Sequence, residues 1–98
     1  MNSKYIVVRE RMVDGMGDPV TDSDGKFIDH ENIYVFSPKI IHSAFARKVS
    51  TRGRVKGAGF IGRQEDGKHF CYGRSDSLNV ASRKEDTTLL RLLLGEPV

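Results

Sequence analysis

The sequence contains one cysteine, Cys71, no tryptophan and only three prolines. A lone thiol excludes an internal disulfide framework, a cysteine-rich zinc site and a CxxC redox pair. No apolar run approaches the roughly 20 residues that a membrane-spanning helix requires. The opening MNSKYIVVRE is interrupted by charge too soon to act as a signal peptide. The expected setting is therefore a reducing, cytoplasmic one, without a membrane partner. Neither sign of charge dominates. Sixteen Lys+Arg against 13 Asp+Glu leave +3, which is basic but short of a DNA-coating protein. The same +3 excludes a mimic of the acidic DNA backbone.

What remains is a globular composition: 98 residues, 38% hydrophobic and 30% charged, enough for one domain over residues 1–98 with a core of its own. Residues 5–13 begin β-branched and then alternate, with Ile6, Val8 and Met12 on one side and Arg9 and Arg11 on the other. They read as a strand. Residues 14–31 are dense in Asp and Gly and read as an extended loop or an exposed hairpin turning at Asp24 and Gly25. Residues 33–36 are apolar on both sides, which predicts a central strand. Ser37 as N-cap and Pro38 at the first helical position predict a helix to Lys48. Residues 55–63 and 68–74 flank Asp66 and Gly67; a two-residue turn there sets Ile61 opposite Tyr72. Ser82 and Glu85 read as a capping box opening a last helix to about Leu94, which Gly95 and Pro97 stop. The order ββαββα predicts an α+β domain: a mainly antiparallel four-stranded sheet with two helices. A strongly bent, barrel-like sheet carrying the same helices is the alternative.

Four fragments, residues 36–42 (FSPKIIH), 58–61 (AGFI), 71–78 (CYGRSDSL) and 82–90 (SRKEDTTLL), resemble a family of small accessory proteins encoded by tailed bacteriophages. The resemblance covers about the C-terminal two-thirds of the chain. It implies a non-structural protein acting in the cytoplasm of an infected bacterium, and brings no catalytic motif or site residues with it.

The chemistry-bearing residues form several groups. Arg47, Lys48, Arg52, Arg54 and Lys56 carry five positive charges without an intervening acid. They suit phosphate oxygens, or equally a solvated link whose charge guards a strand edge. Gly53, Gly57, Gly59 and Gly62 thin the following strand, at about 0.5–1 kcal/mol each relative to alanine. Either close packing or a ligand must offset that cost. Gly57, Gly59 and Gly62 have the letters of GxGxxG but precede a hairpin, so a dinucleotide fingerprint is rejected. Tyr72 could stack on a base while Arg74 and Ser75 position a phosphate or sugar; a Ser/Asp turn bonding to its own backbone is the plainer reading. His69 and Cys71 share a strand face, and His42 lies on the first helix. A nucleophile–base pair would still lack an orienting third group, and three ligands fall short of a zinc site. Asp22, Asp24, Gly25 and Glu31 fit part of a calcium loop, but Val20 stands where an acid is needed. No metal, cofactor or enzymatic activity is expected.

Leu89, Leu90, Leu92, Leu93 and Leu94 cover more of the last helix than one packing face uses. The surplus predicts a homo-oligomer, the more so if both helices share one face of the sheet and leave the other bare. Together these features predict a non-enzymatic binding protein. Its expected ligand is phosphate-bearing, such as a nucleotide used in bacterial defence signalling, with Arg52, Arg54, Lys56, Tyr72, Arg74 and Ser75 as contacts. A protein–protein inhibitor or adaptor of a host enzyme and a weak nucleic-acid-binding module are the alternatives.

Overall fold

Four consecutive residues, Tyr5, Ile6, Val7 and Val8, have no solvent exposure in the computed structural model, which describes residues 2–49 and 54–98. Alternate residues of a strand point to opposite faces, so this stretch of sheet is covered on both sides. The elements are β1 (Lys4–Arg11), β2 (Asp29–Phe36), α1 (His42–Val49), β3 (Arg54–Arg63), β4 (His69–Tyr72), β5 (Arg74–Ser75), β6 (Val80–Ala81) and α2 (Lys84–Leu94). The predicted α+β domain and antiparallel four-stranded sheet are present, in the order β2-β1-β3-β4, with β5 and β6 as a separate two-stranded ribbon.

The helices lie on opposite faces. Ile6, Val8 and Ala58 pack with Phe36 and with Ala46 of α1, joined by Leu78 and Val80 from around the ribbon. Tyr5, Val7 and Ile61 pack with Leu90 of α2. Each face of the sheet therefore carries a helix, and the ground for an oligomer that rested on both helices sharing one face lapses.

Several local expectations are corrected. The strand at 33–36 is part of β2, which is an edge strand; it reads as central because a helix-covered sheet needs apolar residues on both faces even near its edge. Helix α1 starts at His42, four residues after Pro38. Ser37 instead organises a turn, its carbonyl accepting from the Ile40 N–H (3.1 Å) and its hydroxyl from the Lys39 N–H (3.2 Å). The β3–β4 hairpin has a three-residue loop, with Gln64 bonded to Lys68 and Gly67 at φ +90. This slips the register by one: Phe60 faces Tyr72, and Ile61 faces Cys71. The final strand breaks at Gly73 (φ +78), which releases β5 to pair with β6. The cap of α2 falls one residue later than expected, with the Arg83 N–H donating to Asp86 Oδ2 at 3.0 Å.

Between β1 and β2, residues 12–28 form an arm of two small hairpin loops built alike. Asp14 Oδ1 accepts the N–H groups of Met16 and Asp18, and Asp22 Oδ1 those of Asp24 and Lys26, all within 2.9–3.0 Å. The turn at Asp24 and Gly25 is present as expected. Asp22 spends an oxygen on it, in keeping with a turn rather than a calcium loop.

On the far side of the sheet, α2 covers the outer edge of β4. Thr87 Oγ1 accepts the Cys71 N–H (3.0 Å), Glu96 Oε1 accepts the His69 N–H (2.8 Å), and Arg91 Nε donates to the His69 carbonyl (2.9 Å).

Close packing accounts for the three glycines of β3. A Cβ on Gly57 would lie 2.8 Å from Asp86 Cγ and closer still to Oδ2; on Gly59 it would strike the Tyr72 carbonyl; on Gly62 it would lie 2.6 Å from Phe70 Cζ. Gly57→Ala is expected to displace the buried Asp86 carboxylate and destabilise the fold by about 3 kcal/mol or more, within the cost of breaking a buried ion pair. Gly15→Ala, with nothing within 4 Å of its Cβ, should stay within about 0.5 kcal/mol of wild type. Urea unfolding of the two variants checks both values.

Candidate functional site

Charge is concentrated on the α2 face of the sheet and is organised from the buried Asp86 outward. Asp86, fully buried, accepts the Tyr5 hydroxyl at 2.7 Å and the Arg83 guanidinium at 2.7 and 2.9 Å. The same guanidinium reaches Glu31 Oε1 on β2 at 2.9 Å. Bonded in this way, Glu31 is held below the ordinary carboxylate range, chiefly by its hydrogen bonds from Arg83 and further by the charges of Arg9 and Lys56. Burial, and then donation to Asp86, push the Tyr5 hydroxyl far above its usual range.

At the arm end of this face, Arg9 of β1 stands directly opposite Arg54 of β3, and the register shifts between Val7 and Val8 so that Lys56 is the extra residue of a bulge. Arg9 has an acid partner, Asp29, at 3.6 Å. Among the described residues, neither Arg54 nor Lys56 makes an ion pair. Like charges directly opposite across a strand pair are destabilising. Arg9 and Arg83 belong to this group although sequence reasoning did not select them, and Glu31, weighed there only as a calcium ligand, belongs to it as the partner of Arg83. The alternation that puts Arg9 on one strand face is visible in the sequence, whereas nothing local marks the pairing of Glu31 with Arg83, 52 residues away. Arg52 lies outside the described residues.

Tyr72, Arg74 and Ser75 lie elsewhere. Tyr72 faces Phe60, with ring centroids 5.8 Å apart, on the α1 side of the sheet. Arg54 is six residues from Phe60 along β3, about 20 Å at a strand's rise per residue. Among the described residues, Arg54 and Lys56 therefore do not converge with Tyr72, Arg74 and Ser75 within one chain. Arg74 bonds to Asn79 and lies 3.5 Å from Asp76. Ser75 is buried, and its hydroxyl accepts the Leu78 N–H at 3.2 Å.

Of the leucines, Leu90 is in the core with Leu89 packed against it, while Leu92, Leu93 and Leu94 are 63%, 60% and 47% exposed. His69 and Cys71 do share the α2 face, but His69 Nδ1 is 2.6 Å from Glu96 Oε2 and burial pushes the Cys71 thiol up to about 11. His42 is on the other face, where its Nε2 meets the Gly59 carbonyl at 2.9 Å and burial holds its pKa below the usual 6.5. Among the described residues, no three His, Cys, Asp or Glu side chains are grouped to hold a metal, and no helix is long and apolar enough to cross a membrane.

The lowered carboxylate fixes a direction for acid sensitivity. A carboxyl whose folded pKa lies below its unfolded value of 4.5 contributes stability above that pH and loses it as the pH falls through the folded value. Unfolding free energy should therefore decline below pH 4.5, and Glu31→Gln should flatten that decline. Arg83→Met should cost about 3–5 kcal/mol at pH 7 by leaving Asp86 buried without its cation. Neutral His42 adds a second slope of the same sign beginning near pH 6.5, because the unfolded chain binds the extra proton. Denaturant unfolding at a series of pH values measures each.

No family model, curated protein or solved structure matches the chain.

Proposed function

We propose that this is a non-enzymatic binding protein that captures a phosphate-bearing ligand at the arm end of the α2 face, with Arg54 and Lys56 as the phosphate contacts and Arg9 beside them. The observation that supports this is the like-charged Arg9–Arg54 pair flanking a lysine bulge, with no acid paired to Arg54 or Lys56 among the described residues. An anion supplied from outside relieves that repulsion, and arginine presents the fork that phosphate oxygens match. Arg52 adjoins this group in sequence. Tyr72, Arg74 and Ser75 form no part of it. The resemblance to phage accessory proteins suggests the setting, an infected bacterial cell, and a nucleotide used in defence signalling as the ligand.

Thermal unfolding against mono-, di- and cyclic nucleotides tests this reading. A ligand at 100 times its Kd stabilises by about 2.7 kcal/mol, a shift of roughly 10 °C or more for a chain of this size. The shift should vanish in the Arg54→Ser, Lys56→Ser double variant and persist in Tyr72→Ala. No shift with any of these compounds removes the proposal.

Self-association is a second reading, supported by the exposed Leu92, Leu93 and Leu94 and by the rule that such apolar clusters mark partner surfaces. Light scattering should give a multiple of the 11.0 kDa chain mass. Leu92→Asp with Leu93→Asp should return it to that of one chain. A single-chain mass unchanged over a tenfold dilution would falsify this reading, and would leave a surface for a host enzyme as the remaining use of the leucines.

A further inference from the structure

The α1 face carries a second unassigned surface at its β4 corner. Phe60, Phe70 and Tyr72 stand side by side there, with centroids 5.8 Å apart for Phe60–Tyr72 and 5.6 Å for Phe70–Tyr72. Each ring is seated on a glycine. A Cβ on Gly62 would lie 2.8 Å from Phe70 Cε1 and 3.2 Å from Tyr72 Cε1, and one on Gly73 would lie 3.0 Å from Phe60 Cδ2. Part of each residue still reaches solvent: Tyr72 is 38% exposed, and Phe60 and Phe70 are half-buried. Behind them the row continues inward through His42 to Phe36, which fixes the position of Phe60.

We infer that this corner is a stacking platform for unpaired bases of a single-stranded nucleic acid. Aromatic side chains on an open sheet face stack on bases without regard to sequence, because every base has a π-face. Three adjoining rings offer more stacking surface than one base occupies, which favours a strand over a free nucleotide. Charge agrees with this occupant. Lys4 is the cross-strand partner of Phe60 and uses one ammonium donor on the Ile40 carbonyl, leaving two for phosphodiester oxygens. Arg74, two residues after Tyr72, is already held by Asn79 and Asp76, so Lys4 is the cation this corner offers, on a chain that is +3 as a whole. Gly62 is otherwise costly within a strand; its absent side chain is what lets Phe70 and Tyr72 approach the backbone there. This surface is on the opposite face from Arg54 and Lys56, so it stands or falls independently of the phosphate site.

Fluorescence anisotropy of a labelled 12-nucleotide oligo-dT at 50 mM salt tests it. The wild type should bind, with quenching of its intrinsic tyrosine fluorescence, and an unlabelled duplex of equal length should compete poorly. Tyr72→Ala should weaken binding roughly tenfold or more, the loss of one stacked base, while Tyr72→Phe retains it. The Arg54→Ser, Lys56→Ser variant should still show the quenching. Circular dichroism confirms that each variant is folded; if Tyr72→Ala is not, Tyr72→Phe compared with Tyr72→Leu replaces it. Absence of binding by the wild type overturns the inference. So does equal affinity of the ring-less variant, or a free mononucleotide that competes as well as the oligomer.

Discussion

The Asp86 carboxylate is where the elements of this domain are tied together. Buried ions are tolerated only when fully partnered, and here each partner comes from a different part of the chain. The Tyr5 hydroxyl arrives from the middle of β1, the backbone and guanidinium of Arg83 from the start of α2, and Gly57 of β3 supplies the space. Through Arg83 the network reaches Glu31 on the edge strand β2. Three strands and a helix are thereby held in one arrangement by a single carboxylate. The same group caps α2, which places Leu90 over Tyr5, Val7 and Ile61.

Because one helix serves each face, the centre of the sheet is spent on its own core. Chemistry is left to the margins: the charged arm end of the α2 face, the aromatic corner of the α1 face and the outward side of α2. That distribution explains why the candidate contacts separate. Arg54 and Lys56 at the start of β3, and Tyr72 on β4 opposite Phe60 and on the other face, can look like one set in a list of basic and aromatic positions while having no shared surface.

Much of the architecture was legible in the sequence because it rests on local patterns: alternation in β1, the leucines of the last helix, and the Gly95 stop. Errors arose where a long-range bond outweighed a local signal. Ser37 and Pro38 have the chemistry of a helix start, yet the helix begins at His42, whose ring reaches the Gly59 carbonyl. Ser82 and Glu85 have the capping-box letters, but Arg83 and Asp86 make the bonds because Asp86 has partners waiting in β1. Asp66 and Gly67 announced a hairpin without distinguishing a two-residue from a three-residue loop, and that one residue moved every cross-strand partner. The glycines of β3 were legible as close approach, though not what approaches. For the site, the basic cluster was visible as composition. The pairing of Arg9 with Arg54 was not, since it depends on register between segments more than forty positions apart.

The covering of β4 by Thr87, Arg91 and Glu96 has a consequence for how copies of this chain could join. An open sheet with two free edges can template a neighbour on each side and so grow without limit, the geometry of a fibre. Here side chains of α2, with Glu96 just beyond it, already hold the His69 N–H and carbonyl and the Cys71 N–H of one edge, which leaves β2 as the other. Edge pairing through β2 would use that edge up in both partners and then stop, giving one continuous eight-stranded sheet closed by a two-fold axis. In such an assembly the helix that packs the core would also be the chain terminator.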